Sequence, residues 1–151
     1  MEYEGEYLYD RKWNGKGYDE LGNIIYELKK GNGKVKEYDD GYLIFEGEYL
    51  NGLRNGKGKG YYNGKLKFEG EHLNGKRNGK GKEYYEGDLR FEGEYLNGNR
   101  NGKGKEYDWK GKLKFEGEYL NGERNGKGKE YYDGELEFEG EYLNGQRRLT
   151  K

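Results

Sequence analysis

The chain has 151 residues, of which 39% are charged and only 30% hydrophobic, and its 29 basic and 30 acidic side chains leave a net charge of -1. This balance gives no overall attraction to nucleic acid or to an anionic membrane. The absence of cysteine excludes disulfides, thiolate metal sites and cysteine nucleophiles. A mean hydropathy of -1.50 is typical of disorder, but aromatic residues make up 17% of the chain and recur regularly, which indicates a folded repeat.

The first residues, 1–5, contain neither a basic region nor an apolar run, so they do not resemble a signal peptide. No later stretch reaches the apolar length that a membrane span requires. We therefore expect a cytoplasmic protein, with a membrane-peripheral location as the alternative.

An aromatic-Glu-Gly motif then recurs along the whole chain. The run FEGE begins at five positions spaced 23 or 24 residues apart, namely Phe45, Phe68, Phe91, Phe115 and Phe138. A YEGE copy begins at Tyr3, and a degenerate YELK copy begins at Tyr26. The sequence thus predicts a single array over residues 1–151, with units starting near residues 3, 26, 45, 68, 91, 115 and 138 and the last unit incomplete.

Each unit reads as two strands and two turns. Residues 66–72 alternate, which places Leu66, Phe68, Gly70 and His72 on one face and charged residues on the other. Asn74-Gly75 is a strong hairpin signal, the return segment 79–84 alternates glycine with lysine, and a second turn follows at residues 86–87. With no proline and no helical periodicity, the pattern predicts an all-β fold: an elongated, single-layer antiparallel β-meander, twisted and curved as sheets are.

The register of the hairpin stays open between two alternatives. A two-residue turn sets Phe68 opposite Gly81, whereas a four-residue loop sets Glu69 opposite Lys82. Both put aromatic rings over glycines on one face and glutamates against lysines on the other. Stacking also predicts that the leucine stripe containing Leu66 shares the phenylalanine face, and that each unit depends on its neighbours for stability.

The string FEGEYLNGNRNGKG at residues 91–104 resembles the MORN repeat (membrane occupation and recognition nexus), and the resemblance covers nearly the whole chain. Leu28 replaces the first glycine of the Tyr26 unit, and the Tyr3 unit has one extra residue before its Asn-Gly pair, which suggests an N-terminal cap. The resemblance implies a grooved β-ribbon that binds partner proteins, dimerises or helps localise larger assemblies. The lipid role in the family's name has little support here, because lysines such as Lys103 face glutamates.

The sequence lacks the nucleophilic residues on which most catalytic triads depend. There is no cysteine or serine, and the only threonine is Thr150, so nucleophilic triads are excluded. His72 takes a position that tyrosine fills in other units and reads as a packing variant, while the carboxylate pairs repeat from unit to unit as no catalytic pair would. Gly102-Lys103-Gly104 lacks the strand-to-helix context of a phosphate loop, and residues 39–41 lack calcium-ligand spacing. We predict no enzyme activity, no cofactor and no metal.

Two functional hypotheses follow. The first is a protein-interaction scaffold that binds a partner against the aromatic face. The alternative interpretation of the same rings is that they only form the core of the fold. The candidate partner-binding residues of the scaffold are Phe68, Tyr84, Phe91, Tyr95, Tyr107, Trp109, Phe115 and Tyr119. The second is a self-assembling module that forms a homodimer through a sheet edge or a terminal repeat. A membrane phospholipid-associated module and a fragment or engineered array without a dedicated partner are further alternatives, whereas nucleic acid is disfavoured because lysines and rings lie on opposite faces.

Overall fold

The computed structural model describes residues 2–149, and within that range it contains fourteen β-strands and no helix. Every strand pairing is antiparallel, so the predicted all-β antiparallel meander is confirmed. The chain divides into two compact units, residues 1–76 and 77–151. The prediction of a single continuous array stays a prediction.

The first unit contains a short sheet followed by a longer series of hairpins. Strands β1 (Glu2–Leu8), β2 (Arg11–Tyr18) and β3 (Ile24–Leu28) form a three-stranded sheet in that order. Strands β4 (Gly33–Asp39), β5 (Tyr42–Leu50), β6 (Leu53–Tyr62) and β7 (Lys65–Leu73) then pair each with the next. An isolated bridge between Lys29 and Asn32 links the two parts.

The second unit is a regular meander. Its strands are β8 (Lys76–Tyr85), β9 (Asp88–Leu96), β10 (Asn99–Tyr107), β11 (Leu113–Leu120), β12 (Glu123–Tyr132), β13 (Glu135–Leu143) and β14 (Gln146–Arg148). Each strand pairs with its successor in the chain. One end of these strands therefore carries the Asn-Gly turns, and the other end carries the turns that join one repeat to the next.

The turns use the residues that left-handed backbone requires. Asn97 has a φ of 49° and Gly98 a φ of 91°, as expected of the two-residue hairpin turn predicted from Asn-Gly. The turn between β10 and β11 is longer, because the Asp108 side chain accepts hydrogen bonds from the backbone N–H groups of Lys110 and Lys112, both at 2.9 Å. This longer loop brings Trp109 to the surface, where it is 73% exposed.

The hairpin register combines parts of both predicted alternatives. In β9 and β10 a two-residue turn is followed by a bulge between Arg100 and Gly104, after which Glu92 pairs with Lys105. Phe91 therefore lies opposite Glu106 rather than opposite a glycine. The glutamate–lysine pairing of the second register is present, although the turn has the length of the first.

A second bulge corrects the predicted position of the leucines. Between β10 and β11 the register shifts so that Phe115 pairs with Glu106 while Leu113 pairs with Tyr107. The Tyr107 hydroxyl donates to Glu92 on the charged face, and cross-strand partners share a face. The leucine thus lies on the charged face, so the prediction that the leucine stripe shares the phenylalanine face is wrong.

The N-terminal part of the first unit has a small core of a different composition. Tyr26, Leu28 and Val35 are buried together, and Tyr3 and Tyr49 pack against them. Leu28 and Val35 take the places that glycines fill in the regular repeats, and their side chains fill the space between β3 and β4. This arrangement is consistent with the predicted N-terminal cap.

Candidate functional site

The candidate site is the ring face, which we define as the sheet face that carries the phenylalanines of the FEGE motifs. The Phe91 ring lies over two glycines that pair across the strands, Gly93 and Gly104. A Cβ atom on Gly104 would lie 2.6 Å from Cε2 of Phe91 and 2.9 Å from Cε2 of Tyr119. Glycine is therefore required at this position by the rings, as the sequence pattern predicted.

Aromatic rings of successive repeats contact each other edge to face. The Tyr119 ring lies 5.3 Å from the Phe91 ring and 5.7 Å from the Phe115 ring, centroid to centroid, at interplanar angles of 81° and 88°. Tyr142 repeats the pattern against Phe115 and Phe138. Such contacts add about 0.5–1.5 kcal/mol each beyond the area they bury, so each repeat stabilises the next.

An arginine and a glutamate cover the phenylalanine in four of the FEGE repeats. The Arg100 guanidinium carbon lies 4.0 Å from the Phe91 centroid, and its Nε donates to Glu83 at 2.8 Å. The Tyr95 hydroxyl donates to the same Glu83 oxygen at 2.5 Å. The same arginine–glutamate–phenylalanine sets recur at Arg54–Glu37–Phe45, Arg124–Glu106–Phe115 and Arg147–Glu130–Phe138.

The hydrogen bonds fix the protonation states of these groups. Burial alone would raise the pKa of Glu83, but the hydrogen bonds from Arg100 and Tyr95 outweigh it and lower that pKa. The Arg147 hydrogen bond lowers the pKa of Glu130 to about 2. Burial and the bond to Glu130 raise the pKa of Tyr142 to about 12. At neutral pH the carboxylates stay ionised and the phenols protonated, which suits a structural network better than acid–base chemistry.

The repeat with these features matches a known family. The MORN repeat family model matches residues 45–65, 68–89, 91–111 and 115–135, which together make up more than half of the chain. The chain belongs to the MORN-repeat family. No curated protein matches the sequence. MORN repeats are consistent with a repeat scaffold and are generally non-enzymatic.

Most of the predicted binding residues form the core of the MORN hairpins. Phe68, Phe91 and Phe115 are at most 1% exposed, while Tyr95 and Tyr119 are 5% and 4% exposed. These five side chains lie on the ring face beneath the arginines and glutamates. Their direct contact with a partner stays a prediction.

The other three candidates lie elsewhere. The Tyr107 hydroxyl donates to Glu92 at 2.5 Å, so this ring lies on the charged face. Tyr84 has the equivalent pairing, opposite Leu89. Trp109 projects from the loop after β10. The eight predicted residues therefore divide between a buried core, the charged face and one exposed loop.

Sequence reasoning missed a set of exposed tyrosines on the ring face of the MORN hairpins. Tyr131 donates to Glu116 on the charged face, so its neighbour Tyr132 lies on the ring face, where it is 74% exposed. Tyr85 and Tyr62 have the same position and are 66% and 68% exposed. The Tyr-Tyr doublets at residues 61–62, 84–85 and 131–132 were the available signal.

One MORN repeat lacks the covering carboxylate. Gly60 pairs with both Phe45 and Phe68, the register position that Glu106 has between Phe91 and Phe115. His72 replaces the tyrosine of the same repeat and is 7% exposed. The arginine–glutamate–tyrosine pattern is thus interrupted at Gly60, and Gly17, which pairs with both Tyr3 and Tyr26, also has no carboxylate at this position.

Neither a metal cluster nor a membrane helix is part of the described structure. Across residues 2–149 no three His, Asp or Glu side chains come together in a way that could hold a metal ion. The same residues include no helix of the length and apolarity needed to cross a bilayer.

Proposed function

We propose that this MORN-repeat chain is a non-catalytic scaffold that binds a protein partner across its ring face. The observation that carries the proposal is the exposure of large aromatic side chains at one end of the sheet in residues 77–151. Tyr85, Trp109 and Tyr132 are 66%, 73% and 74% exposed, and all three lie at or beside the turns that join successive repeats. Tyrosine and tryptophan are the residues that most often supply binding energy in protein interfaces.

The surroundings of these side chains suit recognition. The Arg90 guanidinium carbon lies 5.9 Å from the Tyr85 ring centroid, so cationic and aromatic groups occur together, as they do in interface centres. Beneath them, Phe91 and Tyr95 are buried in the hydrogen-bonded network described above. A rigid support lowers the entropic cost of binding. We therefore assign the buried rings a supporting role and the exposed rings the contact.

Two matched triple variants test the proposal. The first removes the exposed rings by Tyr85→Ala, Trp109→Ala and Tyr132→Ala. The second removes Leu96, Leu120 and Leu143, which are 50–53% exposed and lie on the charged face. Proteins captured from an extract of the source cells are quantified for both variants and the parent chain.

We expect the ring variant to lose at least about tenfold of the specifically captured partner, because two or three contact residues at about 1–2 kcal/mol each exceed that factor. The leucine variant should retain capture. Circular dichroism must show parent-like strand content in both. Equal capture by the parent and the ring variant would contradict the proposal.

A further inference from the structure

Within residues 2–149, six two-residue hairpin turns consist of the same dipeptide, Asn-Gly. They are the turns at residues 51–52, 63–64, 74–75, 97–98, 121–122 and 144–145. All six asparagines have a left-handed backbone with φ between 49° and 53°, and all six are exposed to solvent. Differences in reactivity among these turns must therefore come from their hydrogen bonds, since backbone conformation and access to water are the same.

Five of these turns are hydrogen-bonded to the preceding repeat. The Gly98 backbone N–H donates to the Arg77 carbonyl oxygen at 2.9 Å, and the Asn97 backbone N–H donates to the Asn78 side-chain oxygen at 3.3 Å. The glycines of the other four turns donate at 2.8–2.9 Å to the carbonyl oxygens of Gly31, Arg54, Arg100 and Arg124. Stacking on the preceding repeat thus holds the glycine nitrogen in each of these five turns.

The sixth turn, Asn63-Gly64, lies at the other end of the strands, where one repeat joins the next. Within the described residues, neither the Gly64 backbone N–H nor the Asn63 side chain forms a hydrogen bond with another group of the chain. The equivalent joining turns have an acid in place of the asparagine, at Asp40, Glu86 and Asp133. Asn63 is therefore the turn asparagine whose following glycine nitrogen is not held.

An Asn-Gly pair that is not held can react with itself, and asparagine is accordingly among the thermally labile residues. The glycine nitrogen attacks the side-chain carbonyl carbon, Cγ, of the asparagine. This ring closure requires the turn to open locally, and glycine hinders it least because it has no Cβ atom. A hydrogen bond from the glycine N–H slows the reaction, because it restrains the turn and keeps the proton on the attacking nitrogen.

We propose that Asn63 is a site of spontaneous covalent modification in which water is the co-reactant. The Gly64 nitrogen forms a bond to Cγ of Asn63, the Cγ–Nδ2 bond breaks, and the amide leaves as ammonia with the proton lost by Gly64. Water then opens the cyclic imide. Addition of water at Cγ gives aspartate, whereas addition at the backbone carbonyl carbon gives isoaspartate, and neither step is an oxidation or a reduction.

The turn accepts the aspartate product. Asp40 has a φ of 48° in an equivalent joining turn, close to the 49° of Asn63, so the new carboxylate requires no change of backbone conformation. It adds one negative charge to a chain whose net charge is -1, directly beside Tyr62, which is 68% exposed. The isoaspartate product instead lengthens the backbone of the turn by one carbon atom and so alters the hairpin between two repeats.

The first test follows all six turns in one sample of the full chain. The folded protein is incubated at mildly alkaline pH, digested at intervals and analysed by mass spectrometry, and a protease that cleaves before aspartate but not before isoaspartate distinguishes the two products. We expect Asn63 to react at least about fivefold faster than any of the five stacked turns, because their glycine hydrogen bond must break first. A rate at Asn63 equal to or below that at Asn74 or Asn97 would overturn the proposal.

Unfolded chain is the control for the effect of the neighbouring residues. In concentrated urea the turns no longer stack, so the six asparagines should react at rates within about threefold of one another. A preference for Asn63 that persists undiminished in urea would assign the reactivity to the local sequence and overturn the role of the fold.

A designed Asn-Gly turn tests the explanation independently. Asp40→Asn creates the dipeptide in a joining turn of the same compact unit, where the Gly41 N–H also donates to no other backbone group within residues 2–149. The new asparagine should react within about threefold of the rate at Asn63, and circular dichroism should show parent-like strand content. A rate as slow as those of the stacked turns at Asn51 and Asn74 would show that loss of the glycine hydrogen bond is not the cause and would end the inference.

Discussion

The start of the chain and its second compact unit use two forms of one motif to build two different cores. The copy at Tyr26 reads YELK and has Leu28 where the FEGE copy at Phe91 has Gly93. After Phe91 the ring covers Gly104, and the neighbouring tyrosine, arginine and glutamate close over it. In the N-terminal part, Leu28 and Val35 take the glycine positions and form an aliphatic cluster with Tyr26.

The difference shows what the glycines contribute. Where the glycines of the motif are kept, as at Gly93 and Gly104, an aromatic ring occupies the space of the missing side chain. Where leucine or valine replaces the glycine, as at Leu28 and Val35, the side chain of that residue itself fills the space. Pairing between β3 and β4 is then limited to the bridge between Lys29 and Asn32. The glycines at the positions of Gly93 and Gly104 are packing positions for an aromatic ring.

Adding one methyl group at such a glycine should therefore have the largest effect. Gly104→Ala places a Cβ atom 2.6 Å from the Phe91 ring, and the resulting overpacking should cost about 3 kcal/mol. The matched variant Gly60→Ala meets only contacts of 3.9 Å and should change stability by no more than about 1 kcal/mol, in the stabilising direction. Urea unfolding monitored by circular dichroism measures both.

A large loss for both variants would contradict the comparison, because glycine would then be needed for its backbone alone. A small loss for both would show that the Phe91 ring shifts readily. Only a large loss of stability in Gly104→Ala together with a small change in Gly60→Ala supports a clash with the Phe91 ring as the cause.

The second prediction concerns the hydrogen bonds between Glu106, Arg124 and Tyr119 on the ring face. Glu106→Gln removes the charge that holds Arg124 at 2.7 Å and Tyr119 at 2.5 Å. We expect a loss of about 2 kcal/mol, since hydrogen bonds to a buried charged group are stronger than average. Glu123→Gln, at an exposed position of the same repeat, is the control and should change stability by less than about 0.5 kcal/mol. Equal thermal melting shifts in the two variants would argue against the network.

The sequence predicted the all-β architecture because the Asn-Gly turns and the period of two are local signals. It also predicted that rings cover glycines. It did not reveal the bulge between Leu113 and Phe115 that moves Leu113 to the charged face, because a one-residue register shift leaves no mark in the alternation of the strand. The sequence also did not predict the contacts of Arg100. Its guanidinium contacts Phe91 and Glu83, which lie on two other strands, and such contacts are known only once the strands are placed.

The third prediction uses acid to weaken the second unit. The carboxyl of Glu130 has a folded pKa of about 2, against an ordinary value of 4.5, mainly because Arg147 donates to it. The pKa values of Glu83 and Glu106 are also lowered by their arginine partners, against the opposing effect of burial. A lowered folded pKa stabilises the folded chain above pH 4.5, and that contribution is lost as the pH falls toward 2.

Melting temperature should accordingly fall steeply between pH 4.5 and pH 2 in the parent chain. In Glu130→Gln the fall should be shallower, and the variant should already melt lower at pH 7. A parallel pH profile in parent and variant would show that Glu130 does not contribute to the acid transition. NMR titration of the Glu130 side-chain carbon measures the pKa directly.

The smallest expected effect concerns the bulge beside the hairpin turn of each repeat, where the two regions differ again. In the second unit the Glu118 carboxylate accepts from the Lys127 backbone N–H at 2.6 Å and thereby closes the bulge at Gly126. In the first hairpin the equivalent Glu6 accepts from the exposed Asn14 side chain at 3.2 Å instead. Glu118→Ala should therefore cost about 1 kcal/mol, as expected for one hydrogen bond to a backbone group.

Glu6→Ala should stay within about 0.5 kcal/mol of the parent, since an exposed side-chain pair adds little. Glu118→Gln keeps an acceptor oxygen and should recover most of the loss in Glu118→Ala. Hydrogen exchange at the Lys127 amide provides the local readout, because the bond to Glu118 slows exchange there. If that amide exchanges at the parent rate in Glu118→Ala, the carboxylate does not hold the bulge, and the backbone conformation at Gly126 must be stabilised by strand pairing alone.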